Sequence, residues 1–419
     1  MPAKDIDRVE NDAPGWMSAV ATSWLTSLVV LFAILFGAQY LSPPTGISRP
    51  AAGPMLSHFS NWDGHSYIRM ASEGYPRAVD QRREWAFFPG YPLVIRAVVA
   101  CTSMASVLAA VLISNLLLIF CCWLFYIYLV NKHGPFVALS AVTALACWPP
   151  GFFFRVAYSE SLFLTGVLLS LVAMQRRWHP LLIATIIGAC TGIRPVGVAL
   201  LLPFAVHLYP YIRLGLAAKK NILLRIAIAC GLWLIAIWGL VAFVGFQKAA
   251  LGDPTAFVSV QSTEYRMRPV IPWKQKIVKL LTLEPIRRAY DDSPDVGEHW
   301  SRAGNFTMEG NPVLTFRFWN PIFFLAAVIL VVIGGFCRWL SALELCLGFG
   351  LLAIPYYTRA YEFAMCSQAR FTDVCVPAFV VLGRMLAALP DTARTLLAIS
   401  AAALMMAFAA EFSAAYPVF

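Results

Sequence analysis

Charge is scarce in this chain. Only 13% of its 419 residues are Asp, Glu, Lys or Arg, and 60% are hydrophobic. Soluble globular chains carry about 25% charged residues. With a mean hydropathy of +0.70, an ordinary soluble domain is excluded. Strict alternation of apolar and polar residues is also missing, which argues against a closed β-barrel. The chain has instead continuous apolar runs along its whole length, the mark of a multi-pass helical membrane protein.

Metal-site spacing is absent too. The ten cysteines form no CxxC pair and no Cys/His pattern of a zinc site. Most of them (Cys121, Cys122, Cys147, Cys190, Cys230, Cys346) fall within apolar runs, where cysteine serves as a small buried residue. The phosphate-loop pattern GxxxxGK[ST] does not occur, so no nucleotide cradle is expected. Nor does an internal repeat of the kind that builds many transporters stand out. No metal or cofactor is expected. The net charge of +10 would suggest nucleic acid in a soluble protein. In this chain it answers to anionic membrane lipids and to topology, and no nucleic-acid partner is expected.

The apolar runs divide the chain. The first, Trp16 to Leu41, is long enough to remain as a span rather than be cleaved as a signal, and Ser42-Pro43-Pro44 stops it. Further crossings are predicted at about 104–130, 135–149, 158–175, 180–209, 223–246, 321–337, 341–356, 371–386 and 395–412. The stretch 180–209 is either one long helix or a hairpin broken at Gly192-Ile193-Arg194-Pro195-Val196-Gly197. With the hairpin there are about 11 crossings. The fold class expected is an all-α polytopic membrane protein, one integral membrane domain over 1–419. Two long polar loops, about 42–103 and 247–320, interrupt it. Segment 64–74 within the first is too short to span and reads as an interfacial helix, while 88–103 dips into the membrane or lies along it.

Orientation follows from the short connectors. Those holding Lys132, Arg176, Arg177, Arg213, Lys219, Lys220, Arg225, Arg338, Arg384 and Arg394 lie on one side, cytoplasmic by the positive-inside rule. Both long polar loops then face outward. So do Arg155, Arg194, Arg359 and Arg370, at the ends of different helices, where a charge bordering apolar helix needs a partner. A lipid phosphate would supply that partner through paired hydrogen bonds. Internal ion pairs with Glu160, Glu362 or Asp373 would supply it as well.

The chemistry concentrates in the first polar loop, which runs His58-Phe59-Ser60-Asn61-Trp62-Asp63-Gly64-His65. Asp63 near the interface is a candidate general base, or a helix N-cap, for which aspartate is a preferred residue. His65 and His58 suit hydrogen bonding to phosphate or sugar better than metal binding. In Tyr158-Ser159-Glu160-Ser161 a sugar-binding cluster competes with simple helix capping, which the local sequence favours. Gln261 follows a turn at Gly252-Asp253-Pro254 that opens the second polar loop.

Several of these stretches occur together in one order. They are Trp62-Asp63 with Glu73-Gly74-Tyr75, Phe87-Phe88-Pro89-Gly90-Tyr91-Pro92, Tyr158-Ser159-Glu160-Ser161-Leu162-Phe163, Arg194 with Gly197, and Gln368-Ala369-Arg370-Phe371. In this the chain resembles the PIG-V family, the second mannosyltransferases of GPI-anchor assembly, and its bacterial relatives, within the GT-C class of polytopic glycosyltransferases. The resemblance implies a GT-C-type bundle and a polyprenyl- or dolichyl-phosphate sugar donor, usually of mannose. It also implies a lipid-linked or glycan acceptor met on the outer or lumenal face, with Asp63 as catalytic base. The candidate substrate-binding residues, from the charge pattern and these stretches together, are Trp62, His65, Arg155, Tyr158, Glu160, Arg194, Gln261, Gln368 and Arg370. Two departures, Pro195-Val196-Gly197 after Arg194 and Gly252-Asp253-Pro254-Thr255-Ala256-Phe257, point to the bacterial relatives, hence to a bacterial inner membrane rather than the endoplasmic reticulum. A lipid or solute transporter and a non-catalytic subunit of a glycan-assembly complex stay open as alternatives.

Overall fold

The computed structural model describes residues 13–42, 55–76, 84–217, 222–262, 272–290, 316–361 and 365–416. They form an all-helical protein. Its helices are α1 (Ala13–Tyr40), α2 (Asp63–Ser72), α3 (Gly90–Thr102), α4 (Ser106–His133), α5 (Pro135–Ala146), α6 (Glu160–Gln175) and α7 (Pro180–Ile193). There follow α8 (Leu201–Ala217), α9 (Ile222–Ile235), α10 (Trp238–Leu251), α11 (Ala256–Ser262), α12 (Trp273–Leu281) and α13 (Glu284–Ala289). The last five are α14 (Phe316–Phe336), α15 (Ala342–Pro355), α16 (Gln368–Thr372), α17 (Val376–Ala387) and α18 (Asp391–Ser413).

Among the described residues four helices are long and apolar enough to cross a membrane: Gly15–Tyr40, Ser106–His133, Phe318–Phe336 and Asp391–Ser413. The pair Leu223–Ile235 and Trp238–Leu251, bent by 56°, makes a fifth if taken as one span. Other expected crossings are apolar helices of 12 to 16 residues, such as α5 and α6. At 1.5 Å per residue these reach roughly 18–24 Å, short of the roughly 30 Å hydrocarbon core.

The breakers fall where the sequence places them. Pro149-Pro150-Gly151 follows the end of α5 and opens a 3₁₀ turn, Pro149–Phe154, with every residue buried. The stretch 180–209 is not one long helix: α7 ends at Ile193, and the break falls within 192–197. Arg194 is extended (φ −148°, ψ 143°), and a Cβ on Gly197 would sit 2.6 Å from the Cys190 carbonyl oxygen. A continuous helix never brings residues seven apart so close.

The two ends of the bundle differ. At one, three of the basic connectors meet. Lys132 at the end of α4 pairs with Glu344 in the first turn of α15 at 2.5 Å, and the Tyr128 hydroxyl donates to the same carboxylate at 2.8 Å. Ser341 closes a capping box with Glu344. Arg384 of α17 contacts His133 at 3.0 Å, and Arg394 of α18 lies over the Phe136 ring. Glu344 is fully buried and answers to three partners at once. Glu344→Gln is therefore expected to lower the Tm in detergent. Lys132 keeps a third of its side chain exposed, so the loss falls below the about 3–5 kcal/mol of a fully buried pair. An unchanged Tm would show that Lys132 and Tyr128 find other partners.

At the opposite end the first polar loop packs on the end of α18. His58 Nδ1 lies 2.9 Å from the Ser413 carbonyl, Asn61 donates to the Phe412 carbonyl at 2.8 Å, and the Trp62 indole donates to Tyr416. Elements of the second polar loop gather at the same end. Gln247 of α10 donates to the Trp85 carbonyl, Phe257 of α11 stacks edge-on to Phe88, and the Tyr356 hydroxyl donates to Leu280 of α12. The segment 64–74 of the first loop is helical over most of its length, as α2.

Candidate functional site

The polar end brings together four charged residues that are far apart in the sequence. Asp63 opens α2, Glu160 opens α6, Arg194 follows α7 and Arg370 lies in the short α16. Arg370 Nη1 donates to Asp63 Oδ2 at 2.8 Å, and its Nε stands 3.2 Å from Glu160 Oε1. Arg194 Nη1 reaches the same Glu160 oxygen at 2.6 Å. One carboxylate oxygen thus holds two guanidinium groups. Side-chain exposure is 1% for Glu160, 8% for each arginine and 21% for Asp63. Solvent therefore reaches the network mainly at Asp63.

Neither contact with Glu160 has the alignment of a hydrogen bond. Arg194 Nη1, Arg370 Nε and Glu160 Oε2 are buried with no hydrogen-bond partner among the described residues. Buried donors in native proteins are rarely left so. Burial alone would lower the Arg370 guanidinium pKa, but Glu160 and Asp63 outweigh it and raise it, so the group stays cationic.

The floor beneath the network is aromatic. The Arg370 guanidinium carbon lies 5.5 Å from the Phe153 ring centroid, 5.4 Å from Tyr158 and 5.5 Å from Phe371. Arg194 and Arg359 approach the same Phe371 ring at 5.6 Å each. Three arginines around one ring concentrate positive charge that cation–π contact only partly offsets.

Local backbone explains how Asp63 is held. Trp62 sits at φ 59°, ψ −119°, a region a side chain rarely adopts and one that stores about 1–3 kcal/mol of strain. The indole bond to Tyr416 and the Tyr158 hydroxyl, which donates to the Asn61 carbonyl and accepts from Asp63 N–H at 3.2 Å, keep the turn in place. Just ahead of Gln368, Ser367 also has positive φ, 62°. Strain therefore flanks both Asp63 and Arg370.

The capping expectations fail at both helices. The N-cap position of α2 is Trp62, without a side-chain cap bond, and the Asp63 carboxylate goes to Arg370 instead. Ser159, at the N-cap of α6, makes no cap bond and shares a 3.1 Å hydrogen bond with Tyr67. Burial first, then the charge of Glu160, pushes the Tyr67 pKa up to about 12, which leaves it neutral. The internal-pair expectation for the arginines holds for Glu160. Glu362 lies outside the described residues.

The remaining expected residues divide. Tyr158 lies against Arg370, and Gln368 donates to the Pro355 carbonyl and begins the helix that carries Arg370. Trp62 is the residue before the base candidate, and His65 sits exposed two positions beyond it on α2. Arg155 takes a different part. It is 1% exposed and donates to Gly151, Ala146 and Thr26 of α1 at 2.6–2.9 Å, tying the buried 3₁₀ turn to the first span. The side chain of Gln261 lies outside the described residues.

Asp373, named in the sequence only as a pairing partner, is fully buried, and neither of its carboxylate oxygens has a hydrogen-bond partner among the described residues. Tyr67 was missed altogether. Its signal was its place one helical turn after Asp63, on the same face of α2. Compared with known proteins, the chain matches no protein-family model and no curated protein.

Proposed function

We propose that this chain is an integral-membrane glycosyltransferase of the GT-C type, related to the PIG-V family. It would move a sugar, mannose by that resemblance, from a polyprenyl- or dolichyl-phosphate donor to a lipid-linked or glycan acceptor. The observation that carries the reading is the convergence of Asp63, Glu160, Arg194 and Arg370 on one network with unsatisfied buried donors. A transferase with a lipid-phosphate donor needs a carboxylate for the acceptor hydroxyl and cations for the departing phosphate.

In this mechanism the donor phosphate lies against Arg194 and Arg370. It draws Arg370 away from Asp63, and the freed carboxylate becomes a better base. Asp63 takes the proton of the acceptor hydroxyl as the oxygen attacks the anomeric carbon. The bond from that carbon to the phosphate oxygen breaks, and its electron pair leaves with the lipid phosphate. Attack opposite the leaving group inverts the anomeric centre. Trp62, His65, Tyr158 and Gln368 border the reacting groups. On the same reading the shorter apolar helices complete a GT-C bundle of about 11 crossings. The active site would face the periplasm, with a bacterial inner membrane as the location.

Purified protein in detergent or nanodiscs, given radiolabelled polyprenyl-phosphate mannose and a membrane-lipid extract as acceptor source, should form labelled product. A carrier would instead move substrate across a vesicle membrane independently of Asp63, and a non-catalytic subunit would do neither. The topology has its own check. In a background with exposed Cys101, Cys230 and Cys337 replaced by serine, Glu73→Cys and Thr282→Cys should react with an impermeant maleimide from one face. Arg338→Cys should react from the other. Labelling of Glu73→Cys and Thr282→Cys from opposite faces would end the shared-site reading.

A further inference from the structure

We infer that Glu160 is a positioning and charge-setting residue, whose task is to keep the two-arginine clamp from retaining the product. The inference rests on the transferase reading and deepens it.

Glu160 is too deep to meet a substrate directly, at 1% exposure, yet its Oε1 is shared by Arg194 and Arg370. It is the first residue of α6 and sits between two arginines carried by separate segments. With Asp63 it brings the four-residue network to formal neutrality: two carboxylates against two guanidinium groups.

That balance matters because the ligand changes charge during the reaction. The donor is a phosphodiester with one negative charge. The product is a phosphomonoester, mostly doubly charged at neutral pH because its second pKa is about 6. The bond pair left on the phosphate oxygen adds one negative charge, and the acceptor's proton goes to Asp63. Two uncompensated buried arginines would hold the dianion far more tightly than the monoanion, and turnover would stall on release. A fixed carboxylate between them opposes the extra charge and narrows the difference. It also fixes both guanidinium groups so that each can turn unused N–H donors to the phosphate.

The test compares binding of two probes, a short-chain polyprenyl monophosphate and its methyl diester, to full-length wild-type protein and to Glu160→Gln in nanodiscs at pH 8. The monophosphate should bind Glu160→Gln about tenfold tighter than wild type or more, since one opposing charge at close range is gone. The diester should change by less than about threefold. In a transfer assay the variant should show lower kcat and stronger inhibition by added monophosphate. A merely structural role would weaken both probes together. Equal or weaker monophosphate binding by folded Glu160→Gln overturns the inference.

Should Glu160→Gln fail to fold, Glu160→Asp decides, because it keeps the charge. Its preference between the two probes must then match wild type within about threefold, and a shifted preference overturns the inference. If wild type binds neither probe, the transferase reading fails instead, which keeps the two failures distinct.

Discussion

Asp63→Asn is expected to leave the protein folded and able to bind donor while kcat falls at least about a hundredfold, since general-base catalysis contributes about 10²–10⁴-fold. Asparagine keeps the size and one acceptor oxygen for Arg370, but it cannot take a proton at neutral pH. Folding should survive because Arg370 retains Glu160 at 3.2 Å and Asp63 is the most exposed member of the network. Donor binding should hold or tighten slightly, because a carboxylate that competes with the phosphate for Arg370 is gone. This pair of effects, low kcat with undiminished donor affinity, separates a base from a structural tie. A tie would lower stability and leave turnover per folded molecule near normal. The N-cap position of α2 belongs to Trp62, not Asp63. Near-normal turnover would remove Asp63 as base and send the search to His65, two residues along α2.

The positions of the helices were legible because membrane apolar runs are continuous and their breakers are explicit. Gly134 and Pro149-Pro150 stand at or just beyond helix ends in the structure as in the sequence. The site residues were legible for a related reason: Asp63, Glu160, Arg194 and Arg370 are charges beside apolar helix, where none is tolerated without a partner. Their partners were less so. That Glu160 would hold both arginines depends on how α6, α7 and α16 pack, and no local pattern encodes it. Local preference even misled at Asp63 and Ser159. Both residue types suit N-caps, but a buried guanidinium and a buried tyrosine hydroxyl claimed them instead. Arg155 shows the other limit. Sequence marks it as a charge near a helix end, but says nothing of depth, and the buried turn before it carries it to Thr26 inside α1.

The second large effect is expected at Arg370, and two substitutions are needed to see it. Arg370→Ala removes a side chain that touches both Asp63 and Glu160. Breaking a fully buried pair costs about 3–5 kcal/mol, and the loss here is smaller because Glu160 keeps Arg194 and Asp63 is 21% exposed. That variant should therefore be lowered in Tm, which alone says nothing about donor binding. Arg370→Lys separates the two effects. It keeps the charge, so stability should largely recover, but a compact ammonium lacks the planar fork that reaches Asp63 from Nη1 and Glu160 from Nε. It also lacks the parallel donors that suit a phosphate. Losing one charged hydrogen bond of about 1.5–3 kcal/mol corresponds to about 10–100-fold in donor KM. The acceptor KM should stay within about threefold, because only the phosphate uses this fork. Titrating donor at saturating acceptor, then the reverse, reads both constants from one preparation. If Arg370→Lys folds and binds donor like wild type, the arginine is a strut between α2 and α6, and the donor phosphate must rest on Arg194 and Arg359 around the Phe371 ring.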